Sequence, residues 1–125
     1  MLESFLADLK ASLTASPIVK DIEILDEFIT SVSGFLDCRV LLIDGSELFV
    51  SEYFTVIKDR IKRDKYSYHL QKNDDLIIRW DNASHHRELS TFPDHVHRKD
   101  GVHKSKEMTL EDILEELSEI VQEGL

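Results

Sequence analysis

The chain has little of what staples, hinges or anchors a protein. Cys38 is the only cysteine among 125 residues, so no internal disulfide can form. Its apolar setting in FLDCRVLLI reads as an inert buried thiol. Two prolines and four glycines leave no low-complexity linker, no internal repeat and no phosphate-cradling glycine loop. No apolar run approaches the ~20 residues that span a bilayer, and the acidic start MLESFLADLK lacks a signal peptide's basic region. A cytoplasmic protein without membrane contact is expected. There is no Gly-x-Ser-x-Gly elbow for a Ser/His/Asp triad. The thiol set of a structural zinc and a His-Glu-x-x-His helix are missing too.

With 42% hydrophobic and 32% charged residues, a single globular domain over residues 1–125 is expected. The net charge of −10 is unevenly spread. Residues 1–57 hold 3 basic and 10 acidic side chains, residues 58–106 hold 12 and 8, and residues 107–125 hold 7 acids and no base. A basic middle between acidic flanks can meet a polyanion that the whole chain would repel.

Periodicity supplies the elements. LESFLADLKASL places Leu2, Phe5, Leu6, Leu9 and Leu13 at helical spacing, and Ser16-Pro17 ends the run. The β-branched PIVKDIEILDEFITS favours an extended segment. CRVLLIDGSELFVSEYF reads as a hairpin about a type I′ turn at Asp44-Gly45. KDRIKRDK reads as a basic link into a second hairpin, YSYHLQ and LIIRWDN about KNDD. DHVHRKDGVHK gives a weaker third with Asp-Gly at its tip. The terminal helix begins at the N-cap Thr109, shows Leu110, Ile113, Leu114, Leu117, Ile120 and Val121 on one face, and ends near Gly124. The expected fold is α+β: an antiparallel meander of roughly five to seven strands, with an N-terminal and a C-terminal helix on one face.

Histidine is the conspicuous presence. None occurs in the first 68 residues, while His85, His86, His95, His97 and His103 fall in SHHRELSTFPDHVHRKDGVH. A turn centred on Asn73-Asp74 sets Tyr68 opposite Arg79 and Tyr66 opposite Asp81, all on one face. A shift of one residue sets Arg79 opposite His69 instead.

YSYHLQ, RWDNASHH and TFPDHVH, in this order, resemble the TumE family of small prokaryotic proteins, regarded as the toxin half of toxin–antitoxin modules. The resemblance runs from about Asp44 to the final helix. It rests on Tyr66, Tyr68, His69, Arg79, Asp81, Asn82, His85, His86, Phe92, Pro93, His95 and His97, and departs at Ser84 and Leu70. It implies a toxin and a cognate antitoxin from a neighbouring gene, not a mechanism.

Three chemistries compete for the histidines. His95 and His97 share a strand face and can pair on a metal, with Asp81 or His69 completing the set. Alternatively, His95 and His97, or either with His69, can serve as base and acid in RNA cleavage. In that reading Arg79 stabilises the phosphorane and Tyr66 or Tyr68 stacks on a base. The third is a plain interaction surface, with His85-His86 capping a loop and Arg79–Asp81 an ordinary salt bridge. The expectation adopted is an endoribonuclease that needs no cofactor, with catalytic His69, Arg79, His95 and His97. Tyr66, Tyr68, Asp81, Asn82, His85, His86 and Phe92 are expected to contact RNA or the antitoxin. A non-catalytic binding toxin and a metal-dependent nuclease are the rivals, and a homodimer is left open.

Overall fold

A computed structural model describes residues 1–123. Helix α1 (Leu2–Ala15) leads into seven strands: β1 (Val19–Ile29), β2 (Ser33–Leu42), β3 (Glu47–Ile57), β4 (Arg60–Lys72), β5 (Asp75–Asp81), β6 (His95–Arg98) and β7 (Gly101–Lys104). Helix α2 (Leu110–Glu123) follows. The strands form one antiparallel sheet in sequence order. This is the α+β meander with a helix at each end.

Alternation makes the sheet two-faced. Along β2 and β3 every second residue is buried: Leu36, Cys38, Val40 and Leu42, then Leu48, Val50 and Phe54. Leu36 and Phe54 pack with Leu2 and Leu6 of the α1 stripe, and the others with Tyr68, Trp80, Val96 and helix-stripe residues that include Leu13, Ile113 and Leu117. Burying such a stripe stabilises each helix by about 2 kcal/mol per large side chain. Among the described residues the opposite sheet face carries no helix, and the site lies there. Thr109 caps α2: its Oγ1 accepts from the Asp112 N–H at 3.2 Å, and Asp112 accepts from the Thr109 N–H at 3.0 Å. Ile120, expected on the packed face, is 46% exposed, and the expected stop at Gly124 lies outside the described residues.

The turns depart from expectation in instructive ways. The Asp44-Gly45 hairpin closes through a three-residue loop, since the Leu42 N–H reaches Ser46 O at 2.9 Å. Only Gly45 there has positive φ (86°), and Asp44 instead accepts from the Ser46 N–H at 2.9 Å. KDRIKRDK is not a link but a turn and the first half of β4: Lys58 and Asp59 adopt φ 51° and 61° between Ile57 and its partner Arg60. The third hairpin turns at Lys99-Asp100, because Arg98 pairs with Gly101.

Asn73-Asp74 is a two-residue turn with φ 53° and 64°, as its composition predicts. Yet Gln71 pairs with Leu76 and Leu70 with Ile78, leaving Ile77 as a bulge. The bulge shifts the rest of the hairpin by one residue. His69 therefore faces Arg79, and Tyr68 faces Trp80.

Candidate functional site

The bulge decides which side chains meet. On the helix-free face, His69, Arg79 and His97 are successive partners across β4, β5 and β6. Two residues along, Ser67, Asp81 and His95 form a second row on the same face. Tyr66 and Tyr68 alternate onto the other face and are 3% and 0% exposed. The expectation that they share a surface with Arg79 and Asp81 is thus overturned, and neither ring is open to a nucleobase. Burial first, then hydrogen bonding or the charge of nearby carboxylates, pushes both phenols well above their ordinary pKa. The Tyr66 hydroxyl donates to Asp94 Oδ1 at 2.5 Å, and that of Tyr68 donates to buried Glu52 at 2.7 Å beside Arg63.

Asp81 is the hub. Its side chain is 6% exposed, and Oδ1 lies 2.9 Å from His95 Nε2 and accepts from the Ala83 N–H at 3.0 Å. Oδ2 accepts from Arg79 Nε at 2.9 Å and stands 3.5 Å from His97 Nε2. Burial alone would raise its pKa. The Ala83 N–H, Arg79 and His95 outweigh burial and hold the carboxyl below its usual value. His95 is 1% exposed, and its Nδ1 donates to Pro93 O at 2.8 Å. Both of its ring nitrogens therefore face oxygen acceptors. His97 is more open. Burial, with help from His95, His86 and Arg79, holds its imidazole below the usual histidine value, Asp81 opposing. With Nε2 turned to Asp81, Nδ1 of His97 is the atom left to take a proton.

Arg79 projects between two imidazoles. Its Nη1 lies 3.4 Å from His69 Nδ1, while His69 Nε2 is 3.1 Å from Gln71 Oε1. Those partners fit the tautomer with the proton on Nε2. With strands ~4.8 Å apart, the His69 and His97 backbones stand about 10 Å from one another across the guanidinium.

The loop between β5 and β6 adds His86, held at φ 61°. Its ring centroid is 5.1 Å from that of His95 and 5.7 Å from that of His97, so the three imidazoles cluster. One ligand atom from each lies within 4.8 Å of the others. His85 is exposed beyond them, its ring 6.5 Å from His86. Phe92 is 37% exposed with the Arg87 guanidinium 5.5 Å from its ring centroid, and His103 pairs with Asp100 away from the cluster. Asn82 is committed to the frame: Oδ1 accepts from the Tyr66 N–H at 2.9 Å and Nδ2 donates to Asp64 O at 3.0 Å.

Beside this cluster lies a groove of about 590 Å³ that includes Phe35, Ser51, Tyr53, Lys65 and Ser67 in its walls. The sequence reading passed these over, although the alternation along β2 and β3 that buries Leu36 and Val50 puts Phe35 and Tyr53 on the outer face.

An open antiparallel sheet with a histidine-rich site on its uncovered face is the architecture in hand, and the family described as Toxin TumE matches residues 8–123. The chain belongs to that family, and is a toxin whose family implies an antitoxin partner. Neither a curated protein nor a solved structure matches the chain. Among the described residues no helix is long and apolar enough to cross a membrane.

Proposed function

We propose that this toxin acts in the cytoplasm as an endoribonuclease using histidine acid–base chemistry. One observation carries the reading: Arg79, 39% exposed at its side chain, stands between His69 and His97 on a helix-free face. A scissile phosphate drawn to the guanidinium has an imidazole on either side. His97, neutral at physiological pH, takes the 2′-OH proton at Nδ1. The 2′-oxygen attacks phosphorus, and Arg79 stabilises the extra negative charge of the phosphorane. The incoming phosphate draws Arg79 from Nδ1 of His69, and the chemistry requires the imidazolium form of that ring to give its Nδ1 proton to the departing 5′-oxygen. The products are a 2′,3′-cyclic phosphate and a 5′-hydroxyl. Asp81 and His95 position His97 and Arg79 without touching the reacting atoms.

A second reading has one observation behind it. His86, His95 and His97, with Asp81 alongside, form a donor set that suits zinc or another borderline divalent ion, which would supply a metal-activated water. Their nitrogens lie within 4.8 Å of one another, whereas ligands on one tetrahedral ion sit about 3.4 Å apart. His95 Nε2 is, moreover, already engaged by Asp81. The rings must close in and that contact must open before an ion fits, which favours the acid–base reading.

Overexpression with and without the neighbouring gene, followed by total-RNA integrity on a gel, tests the function. Fragmentation relieved by the antitoxin is expected. Growth arrest with intact RNA contradicts it and leaves a toxin that acts by binding.

A further inference from the structure

We propose that the groove beside Arg79 is a nucleobase subsite for single-stranded RNA, with Phe35 and Tyr53 as its stacking platform. The inference rests on the RNA reading above but on different residues.

Phe28, Phe35 and Tyr53 sit in one row, Phe28 pairing with Phe35 and Phe35 with Tyr53 across β1, β2 and β3. The Phe28 and Phe35 rings stack with centroids 5.7 Å apart, and Tyr53 meets Phe28 edge-on at 6.3 Å. This cluster lies on the face that no helix covers, where Phe28 is 41% exposed. Contiguous aromatic surface left open on a folded domain marks a contact site.

The rest of the groove is polar: its carboxylates Asp64 and Asp81 accept from Thr55 and Arg79, and Lys65, Ser51 and Ser67 line it too. Lys65 is the cross-strand partner of Tyr53 and forms no ion pair among the described residues, which leaves its ammonium for a phosphate. Ser51 and Ser67 pair between the aromatic row and the row of His69 and Arg79, giving a floor of small side chains. The two rows lie four residues apart along β3, about 13 Å. A base can rest on Tyr53 while its neighbouring phosphate reaches Arg79. The Ser51 and Ser67 hydroxyls make no hydrogen bond among the described residues and can donate or accept, so they read no particular base edge. Stacking is itself tolerant of sequence. The subsite therefore positions single-stranded RNA with little base preference.

The test uses uncleavable strands: a fluorescent 2′-O-methyl oligonucleotide and the same backbone without bases, titrated into the full chain. The wild type should bind the base-bearing strand roughly 10-fold more tightly. Phe35→Ala and Tyr53→Ala should lose that advantage and keep wild-type affinity for the abasic strand, while Tyr53→Phe retains it. Equal affinity for both strands in the wild type overturns the subsite, whatever the variants do. So does a base advantage that survives Tyr53→Ala in a folded protein. Base-dependent binding without RNA cleavage upholds the subsite while removing the nuclease reading, so the two fail separately.

Discussion

Asp81 and His95 meet at 2.9 Å across the β5–β6 pair, each almost wholly buried on a sheet face that is otherwise open. A carboxylate that accepts from Arg79 and Ala83, with the Nε2 atoms of His95 and His97 at 2.9 and 3.5 Å, is a fixed point, and His97 and Arg79 take their positions from it.

Asp81→Asn keeps the shape and removes the charge. Loss of charge-assisted hydrogen bonds at a buried acceptor should cost about 2 kcal/mol of stability at neutral pH and abolish toxicity. The folded-state pKa of Asp81 is depressed, so its contribution is present above the ordinary carboxylate value and lost as pH falls through the folded value. The gap between wild type and variant in denaturant melts should close in acid. A gap independent of pH contradicts the hub assignment.

Arg79→Ala asks whether the guanidinium is there for structure or for the phosphate. Its ion pair with Asp81 is partly exposed, and Asp81 keeps the Ala83 N–H and the two imidazoles when it is gone. Stability should fall by about 1 kcal/mol or less, with activity lost. A large drop in thermal midpoint with activity retained makes the pair structural.

Glu52 tests the other face. It is 3% exposed, its Oε2 has no hydrogen-bond partner among the described residues, and burial raises its pKa despite Tyr68 and Arg63. The folded state then holds its proton to higher pH than the unfolded chain. The stability linked to Glu52 is full below the ordinary carboxylate value and is lost as pH rises through the folded value. Glu52→Gln should flatten this decline in melts from pH 4 to 8. An unchanged slope contradicts the burial argument.

What the sequence made legible follows from how local each signal is. Capping at Thr109, the stripes of α1 and α2, and the Asn73-Asp74 turn depend on near neighbours, and their residue types announce them. The partner of Tyr68 does not. One bulged residue, Ile77, shifts β5 by one position, so that Ile78 and Trp80 join the tyrosines on the core face and Arg79 stands beside His69 on the other. No residue type demands that bulge; packing of Ile78 and Trp80 against the helix side accounts for it. Gathering of His86 with His95 and His97 depends on the path of the β5–β6 loop, which spacing alone does not fix. The Lys58-Asp59 turn escaped notice because it lacks the glycine or asparagine that usually advertises positive φ.

The most direct test of the proposed chemistry is the identity of the RNA ends. Purified toxin, treated with excess EDTA and given single-stranded RNA, should still cleave and leave 2′,3′-cyclic phosphate and 5′-hydroxyl ends. The rate should follow a bell in pH, with its rising limb set by His97 below the ordinary histidine range. Activity lost in EDTA and restored by Zn²⁺ or Mn²⁺, with 5′-phosphate and 3′-hydroxyl ends, would contradict acid–base cleavage between His69 and His97.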